Sequence, residues 1–157
     1  MLLKDILLLD SSMENAQRCD LVVSGSTIES IQPPRSVEGK AETDGKGKIA
    51  VLPGLVNAHA HSAMSLLRGI GEEAPLMEWL QKKIWPVEAR LKPEHVYWGT
   101  LLAVIEMASN GITCFSDMYF FMDQAAEAAK QAGMRCALCR GLVGTDEQKL
   151  GEGIDLL

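Results

Sequence analysis

The chain has 157 residues, with 15 Lys+Arg against 21 Asp+Glu and 47% apolar residues. That mixture is globular rather than disordered, and the length suffices to bury a core. A formal charge of −6 excludes a general binder of nucleic acid or anionic membrane, which needs a basic face. No apolar run approaches the ~20 residues of a membrane span. The opening MLLKDILLLD is interrupted by charges at Lys4, Asp5 and Asp10, unlike the core of a secretory signal. The sequence predicts a cytoplasmic protein without nucleic acid or membrane as a partner.

Residues 1–52 read as short strands separated by turns. Strands are predicted at 2–9, 20–24 and 27–31, the last two as a hairpin across Gly25-Ser26. Pro33-Pro34 ends that hairpin, a polar stretch follows to Lys48, and residues 49–52 resume as a strand before the Pro53-Gly54 turn. From Leu55 onward strands alternate with longer helices. A strand is predicted at 55–61, then a helical stretch at 75–91 that Pro86 should break or kink. The clearest helix is 93–110. Pro93 suits its first turn, Gly111 its stop, and Val96, Leu101, Leu102, Ile105 and Ala108 form an apolar face. A strand at 112–115, a helix at 122–132 stopped by Gly133, a strand at 135–142 and a helix beginning within 146–157 complete the reading. This alternation predicts an α/β fold with a parallel sheet and right-handed crossovers. A closed (β/α)₈ barrel needs ~250 residues, so residues 53–157, with three βα units, read as the N-terminal portion of something larger.

Cys19, Cys114, Cys136 and Cys139 are too few for a disulfide framework. The CxxC formed by Cys136 and Cys139 invites a redox or zinc reading. Its context, GMRCALCRGLV, reads as a buried strand, on which i and i+3 face opposite ways, and this favours two unrelated core sulfurs.

The informative motif is His59-Ala60-His61, ending the first strand of the alternating region. Residues i and i+2 share a face there, so two imidazoles ~6–7 Å apart at their bases can converge on one Zn²⁺. Spacing alone leaves a metal pair and a merely polar strand end both open. The string PGLVNAHAHSAMSLLRG, residues 53–69, closely resembles the first metal-binding strand of the amidohydrolase superfamily. The continuations PLMEWLQKKIWPVEARL, YWGTLLAVIEMASNGITCFSDMYFF and AGMRCALCRGLV resemble its methylthioadenosine/S-adenosylhomocysteine deaminase branch, related to the triazine and chlorohydrolase enzymes. The resemblance runs from residue 53 to 143, and the strands before it are similar to part of the family's small β-sandwich.

The resemblance implies the N-terminal part of a (β/α)₈ metal-dependent hydrolase barrel at 53–157, preceded by a partial β-sandwich at 1–52. It implies His59 and His61 as metal ligands, for Zn²⁺ or for the iron or nickel that His donors also suit. Glu88 falls where the branch binds ribose hydroxyls, and Arg140 at a substrate-binding position ending the third strand. A carboxylate suits vicinal hydroxyls because each of its oxygens can accept one. The implied reaction is hydrolytic deamination of methylthioadenosine or S-adenosylhomocysteine to inosine derivatives and ammonia. No catalytic acid or base is expected within these residues, so this chain alone is expected to be inactive.

Two alternatives stay open. One is an amidohydrolase acting on another amino or chloro heterocycle (cytosine, guanine or a triazine), against which Glu88 argues because a free base has no ribose. The other is a non-catalytic fragment held by association. The expected partners are a small nucleoside substrate and either a second copy or a complementary chain covering the sheet edges. His95 is expected to be an exposed helical residue, not a ligand. Asp117 is expected on the rim, shaping the site by hydrogen bonds or acting in it. Met64, Met77, Trp79, Trp85, Met118, Phe120 and Phe121 divide between core and an apolar wall for an adenine ring or thioether chain.

Overall fold

The structure, a computed structural model, describes residues 1–71 and 73–141; the helix expected within 146–157 lies outside them. The chain divides into two compact units, Met1–Pro53 and Gly54–Leu157.

The first unit is one mixed sheet of strands β1 (Leu2–Leu9), β2 (Ala16–Ser24), β3 (Thr27–Gln32), β4 (Thr43–Asp44) and β5 (Ala50–Val51). β1 is antiparallel to β2 and parallel to both two-residue strands, while β3 pairs the far side of β2. β2 begins before the predicted residue 20, pairing Ala16 with Leu9. β4 was not predicted, because two residues carry no readable alternation. Ile6, Cys19 and Leu21 form this sheet's core.

The β1 ladder slips between Leu3 and Ile6, and there Asp5 takes a left-handed φ of 52°, which Asp tolerates better than most residues. Its carboxylate is buried and accepts Arg18 Nε at 2.5 Å and Arg35 Nε at 2.8 Å. Buried Asp20 accepts the amides of Asp5, Arg35 and Val37 at 2.8, 2.9 and 3.0 Å. The Arg18 hydrogen bond, reinforced by the charges of Arg18 and Arg35, holds the Asp5 carboxyl below the usual range despite its burial. A carboxyl depressed in the folded state adds stability above its unfolded pKa of ~3.9, and that stability is lost as pH falls through the folded value. In denaturation midpoints measured from pH 2 to 6, Asp5→Asn should therefore start lower and fall less steeply in acid, by up to about one proton. Equal slopes would assign the acid response to other carboxylates.

The second unit is a parallel sheet ordered β6-β7-β8, from β6 (Leu55–Ala60), β7 (Ile112–Tyr119) and β8 (Arg135–Arg140). A 3₁₀ helix (Ser62–Leu67) follows β6, and then a helical segment, α1. In α1, α turns at Leu76–Trp79 and Trp85–Glu88 flank a wider π turn at Leu80–Ile84. The helix was expected to break or kink at Pro86; it does not break, and its irregularity is the π turn just before that residue. The Trp85 amide reaches back five residues to the Leu80 carbonyl, and Pro86 falls in the first turn of the last α segment, where a missing N–H is tolerated.

Helices α2 (Pro93–Ser109) and α3 (Met122–Gln131) flank β7 in the chain. The buried stripe of α2 is Val96, Gly99, Thr100, Val104 and Met107, which shares only Val96 with the predicted face: Leu102 and Ile105 are 40% and 55% exposed. Apolar residues occur nearly all round α2, so periodicity could not select the side. Close approach does: a Cβ on Gly99 would meet the Ala63 carbonyl at 2.6 Å, which seats this face against the 3₁₀ helix.

β7 runs past the predicted end at residue 115: residues 116–119 continue the ladder, paired with 137–140 of β8. Phe115 packs with Val104, Met107 and Ala129, and Tyr119 with Ala63, Val96 and Ala125. β8 is an edge strand among the described residues, so Cys136 and Cys139 are exposed rather than in the core as expected. Their partners across the ladder are Phe115 and Met118, which puts the two sulfurs on opposite faces. All four cysteines are free. No helix among the described residues is long and apolar enough to cross a membrane.

Candidate metal centre

Near its C-terminal end, β6 departs from a regular ladder. Asn57 pairs with Phe115 and Ala60 with Asp117, so β6 carries one extra residue between them, the mark of a bulge. The Asn57 side-chain oxygen accepts the His59 amide at 3.3 Å within that bulge. Beyond Ala60 the chain leaves the strand, with His61 at φ −128°, ψ 70° immediately before the 3₁₀ helix.

These turns bring His59 Nε2 and His61 Nε2 to 3.3 Å, with the ring planes at 84°. His61 Nδ1 lies 2.7 Å from the Met118 carbonyl on β7. A carbonyl only accepts, so Nδ1 carries a proton and donates it, which leaves Nε2 as the ring nitrogen facing His59. Two nitrogens at ~2.0–2.1 Å from one tetrahedral Zn²⁺ are separated by about 3.3 Å. The pair therefore has the donor type and spacing of one edge of such a site. It supplies two donors; no group of three or more His, Cys, Asp or Glu able to hold a metal occurs among the described residues. His95 is elsewhere: its Nδ1 accepts the Lys92 amide at 3.0 Å and caps α2, and its side chain is 42% exposed.

Glu88 ends α1, where its Oε1 accepts the Tyr119 hydroxyl at 2.6 Å. Tyr119 is buried at the end of β7, its ring centroid 6.4 Å from that of His61. Burial first, and then the Glu88 carboxylate, push the phenol far above its ordinary pKa, so Tyr119 is a permanent donor that aims Glu88. Arg140 is the partner of Tyr119 across the β7–β8 ladder. Glu88 and Arg140 thus line one cleft of about 960 Å³, walled in part by Trp85, Phe120 and Phe121. Phe121 enters α3 at a left-handed φ of 51°, uncommon for a bulky side chain. Sequence reasoning missed Tyr119; its only signal was its place just after Asp117-Met118. Asp117 was expected on the rim and is instead 2% exposed beneath the strand ends, accepting the Ser62 amide and hydroxyl.

A parallel α/β unit with convergent histidines at a strand's C-terminal end has the architecture of a barrel hydrolase, and residues 50–154 match the amidohydrolase family. The chain belongs to that family, and its fold is the N-terminal portion of the family's (β/α)₈ barrel. It is 45% identical over 142 residues to a 5-methylthioadenosine/S-adenosylhomocysteine deaminase of Syntrophomonas wolfei, covering 87% of this chain and 33% of that protein. It is 44% identical over 147 residues to a 5'-deoxyadenosine deaminase of Methanocaldococcus jannaschii, covering 92% of this chain and 35% of that protein. Among solved structures, a zinc-bound adenosine deaminase from Xanthomonas campestris superposes with a TM-score of 0.70 at 31% identity, over 98% of this chain and 39% of the other. The chain spans about a third of the length of the curated relatives it matches.

Proposed function

We propose that the protein carrying this chain is a zinc-dependent aminohydrolase of adenine nucleosides, converting methylthioadenosine or S-adenosylhomocysteine to the inosine derivative and ammonia. The observation that carries the reading is the His59–His61 pair at 3.3 Å, braced by the Met118 carbonyl. The names of the deaminase relatives support the substrate class, and the zinc of the Xanthomonas structure supports the metal. Residues 53–157 contribute the first three βα units and residues 1–52 part of a small β-sandwich. Zinc, when bound, makes water a nucleophile at neutral pH.

The chain's own residues then divide the work. His59 and His61 hold the metal through Nε2. Glu88 keeps Oε1 on the Tyr119 hydroxyl and has lone pairs left to accept the ribose hydroxyls. Arg140 places a guanidinium on the same cleft, suited to a polar or anionic substituent of the nucleoside. Trp85, Phe120 and Phe121 supply apolar wall for the adenine or the thioether chain. With two metal donors and no group of three among the described residues, this stretch of the protein is inactive by itself. The intact protein works in the cytoplasm and self-associates or pairs with a complementary chain.

The test is ammonia release by the native polypeptide from methylthioadenosine, S-adenosylhomocysteine, adenine, cytosine, guanine and an aminotriazine, with metal content measured on the same preparation. Nucleosides should be the preferred substrates; faster turnover of a free base would overturn the reading. Glu88→Gln should raise KM for the nucleoside about 10- to 100-fold, the range expected for losing a charged hydrogen-bond acceptor. Residual activity on a free base should not change, since there is no ribose to hold.

A further inference from the structure

Beyond the histidines, the ends of β6 and β7 are joined by a buried polar network. Asp117 is 2% exposed, Ser62 5% and Thr100 0%. The Asp117 carboxylate accepts the Ser62 amide at 3.2 and 3.3 Å and also the Ser62 hydroxyl. A carboxylate cannot donate, so the Ser62 hydrogen points to Asp117 and the Thr100 hydroxyl donates to Ser62 Oγ, 2.9 Å away. The relay thus runs Thr100 to Ser62 to Asp117, from α2 through the first residue of the 3₁₀ helix to β7.

The ladder places Asp117 opposite Ala60, between the two histidines in the chain. Ser62, which it grips, directly follows His61, and Met118, which follows Asp117, accepts His61 Nδ1–H. Consecutive β7 residues therefore fix His61 twice: Asp117 through the backbone just after it, and Met118 through its ring. No cation pairs with Asp117 among the described residues, and a buried carboxylate is costly to keep without one. Its hydrogen bonds go to a single residue, the one that sets where the His61 backbone leaves the strand.

We infer that Asp117 is a positioning residue for the metal ligand His61, holding the Ser62 turn so that Nε2 meets its partner on His59. This rests on the proposed metal role of the histidine pair. Groups of this kind around a metal site typically change affinity 10- to 100-fold when removed.

The test strips metal from the native polypeptide and titrates it with Co²⁺, reading the dissociation constant and the visible absorption bands. Asp117→Ala should bind Co²⁺ at least about tenfold more weakly, with shifted bands. Asp117→Asn should fall between it and wild type, since its amide oxygen still accepts the Ser62 N–H. Val104→Ala, a core truncation in α2, lowers stability but should leave the affinity and bands unchanged. If Asp117→Ala does not fold, Asp117→Asn and Ser62→Ala decide by the same readout. Wild-type affinity and bands in Asp117→Asn and Ser62→Ala, with only the melting temperature lowered, would overturn the inference while His61→Ala still abolishes binding. Wild-type protein that binds no Co²⁺, or a His61→Ala variant that binds it normally, would overturn the histidine-pair reading and this inference with it.

Discussion

In the proposed zinc aminohydrolase, His61→Ala is expected to remove the metal and to lower kcat/KM for adenine nucleosides by about 10³ or more. Metal activation contributes several kcal/mol to such reactions, and each 1.36 kcal/mol is tenfold in rate. The variant deletes one of the two donors in the His59–His61 edge and leaves His59 without its 3.3 Å partner. It also deletes the 2.7 Å hydrogen bond to Met118 that orients the His61 ring. Neither loss opens a large core cavity, because neither histidine belongs to the buried core. The melting temperature of the metal-free protein should therefore move little while activity collapses. Metal analysis of the purified variant and initial-rate measurements decide the matter: stoichiometric zinc with more than a tenth of wild-type activity would remove His61 from the site.

His59→Ala should do the same to activity for a different reason. His59 is held by the bulge, where its amide donates to the Asn57 side chain, and its ring meets that of His61 edge-on. Its removal leaves the His61–Met118 hydrogen bond in place.

The His-x-His pair was legible in the sequence because its two donors are adjacent in the chain, so local geometry alone brings them within reach of one ion. The bulge was not legible. It depends on the pairing of Asn57 and Ala60 with residues more than 50 positions later, and no local pattern records that. Asp117 shows the same limit in reverse. Its place just past a short apolar run suggested a strand end on the rim, and only the pairing with β6 and β8, with Ser62 and Thr100 packed over it, makes it a buried strand position. The outer face of α2 misled for a related reason. Leu102 and Ile105 satisfy a helical period, and Gly99 and Thr100 do not look like core. Gly99 is core because backbone approaches backbone there, a contact that a hydrophobicity pattern cannot express.

Phe115→Ala should cost about 3–5 kcal/mol, the range for truncating a fully buried aromatic. Phe115 is the largest wholly buried side chain among the described residues. It sits mid-strand in β7, packed on Val104 and Met107 of α2 and on Ala129 of α3. It therefore ties both helices to the strand that supplies Asp117 and Met118. Two of its neighbours across the cavity, Val104 and Ala129, are small, so collapse onto the void requires whole helices to move, which places the cost toward the upper end. Chemical denaturation followed by far-ultraviolet circular dichroism should show a lowered midpoint with little change in slope, as expected when stability alone is altered. Phe115→Leu, which refills much of the volume, should recover a large part of the loss. A cost below about 1 kcal/mol would mean that β7 is not the structural axis of this unit. The coupling to the site follows from position. A β7 that loosens at Phe115 loosens the Asp117 and Met118 contacts next to it, so metal affinity in Phe115→Ala should fall as the unfolding midpoint is approached and be near wild type well below it.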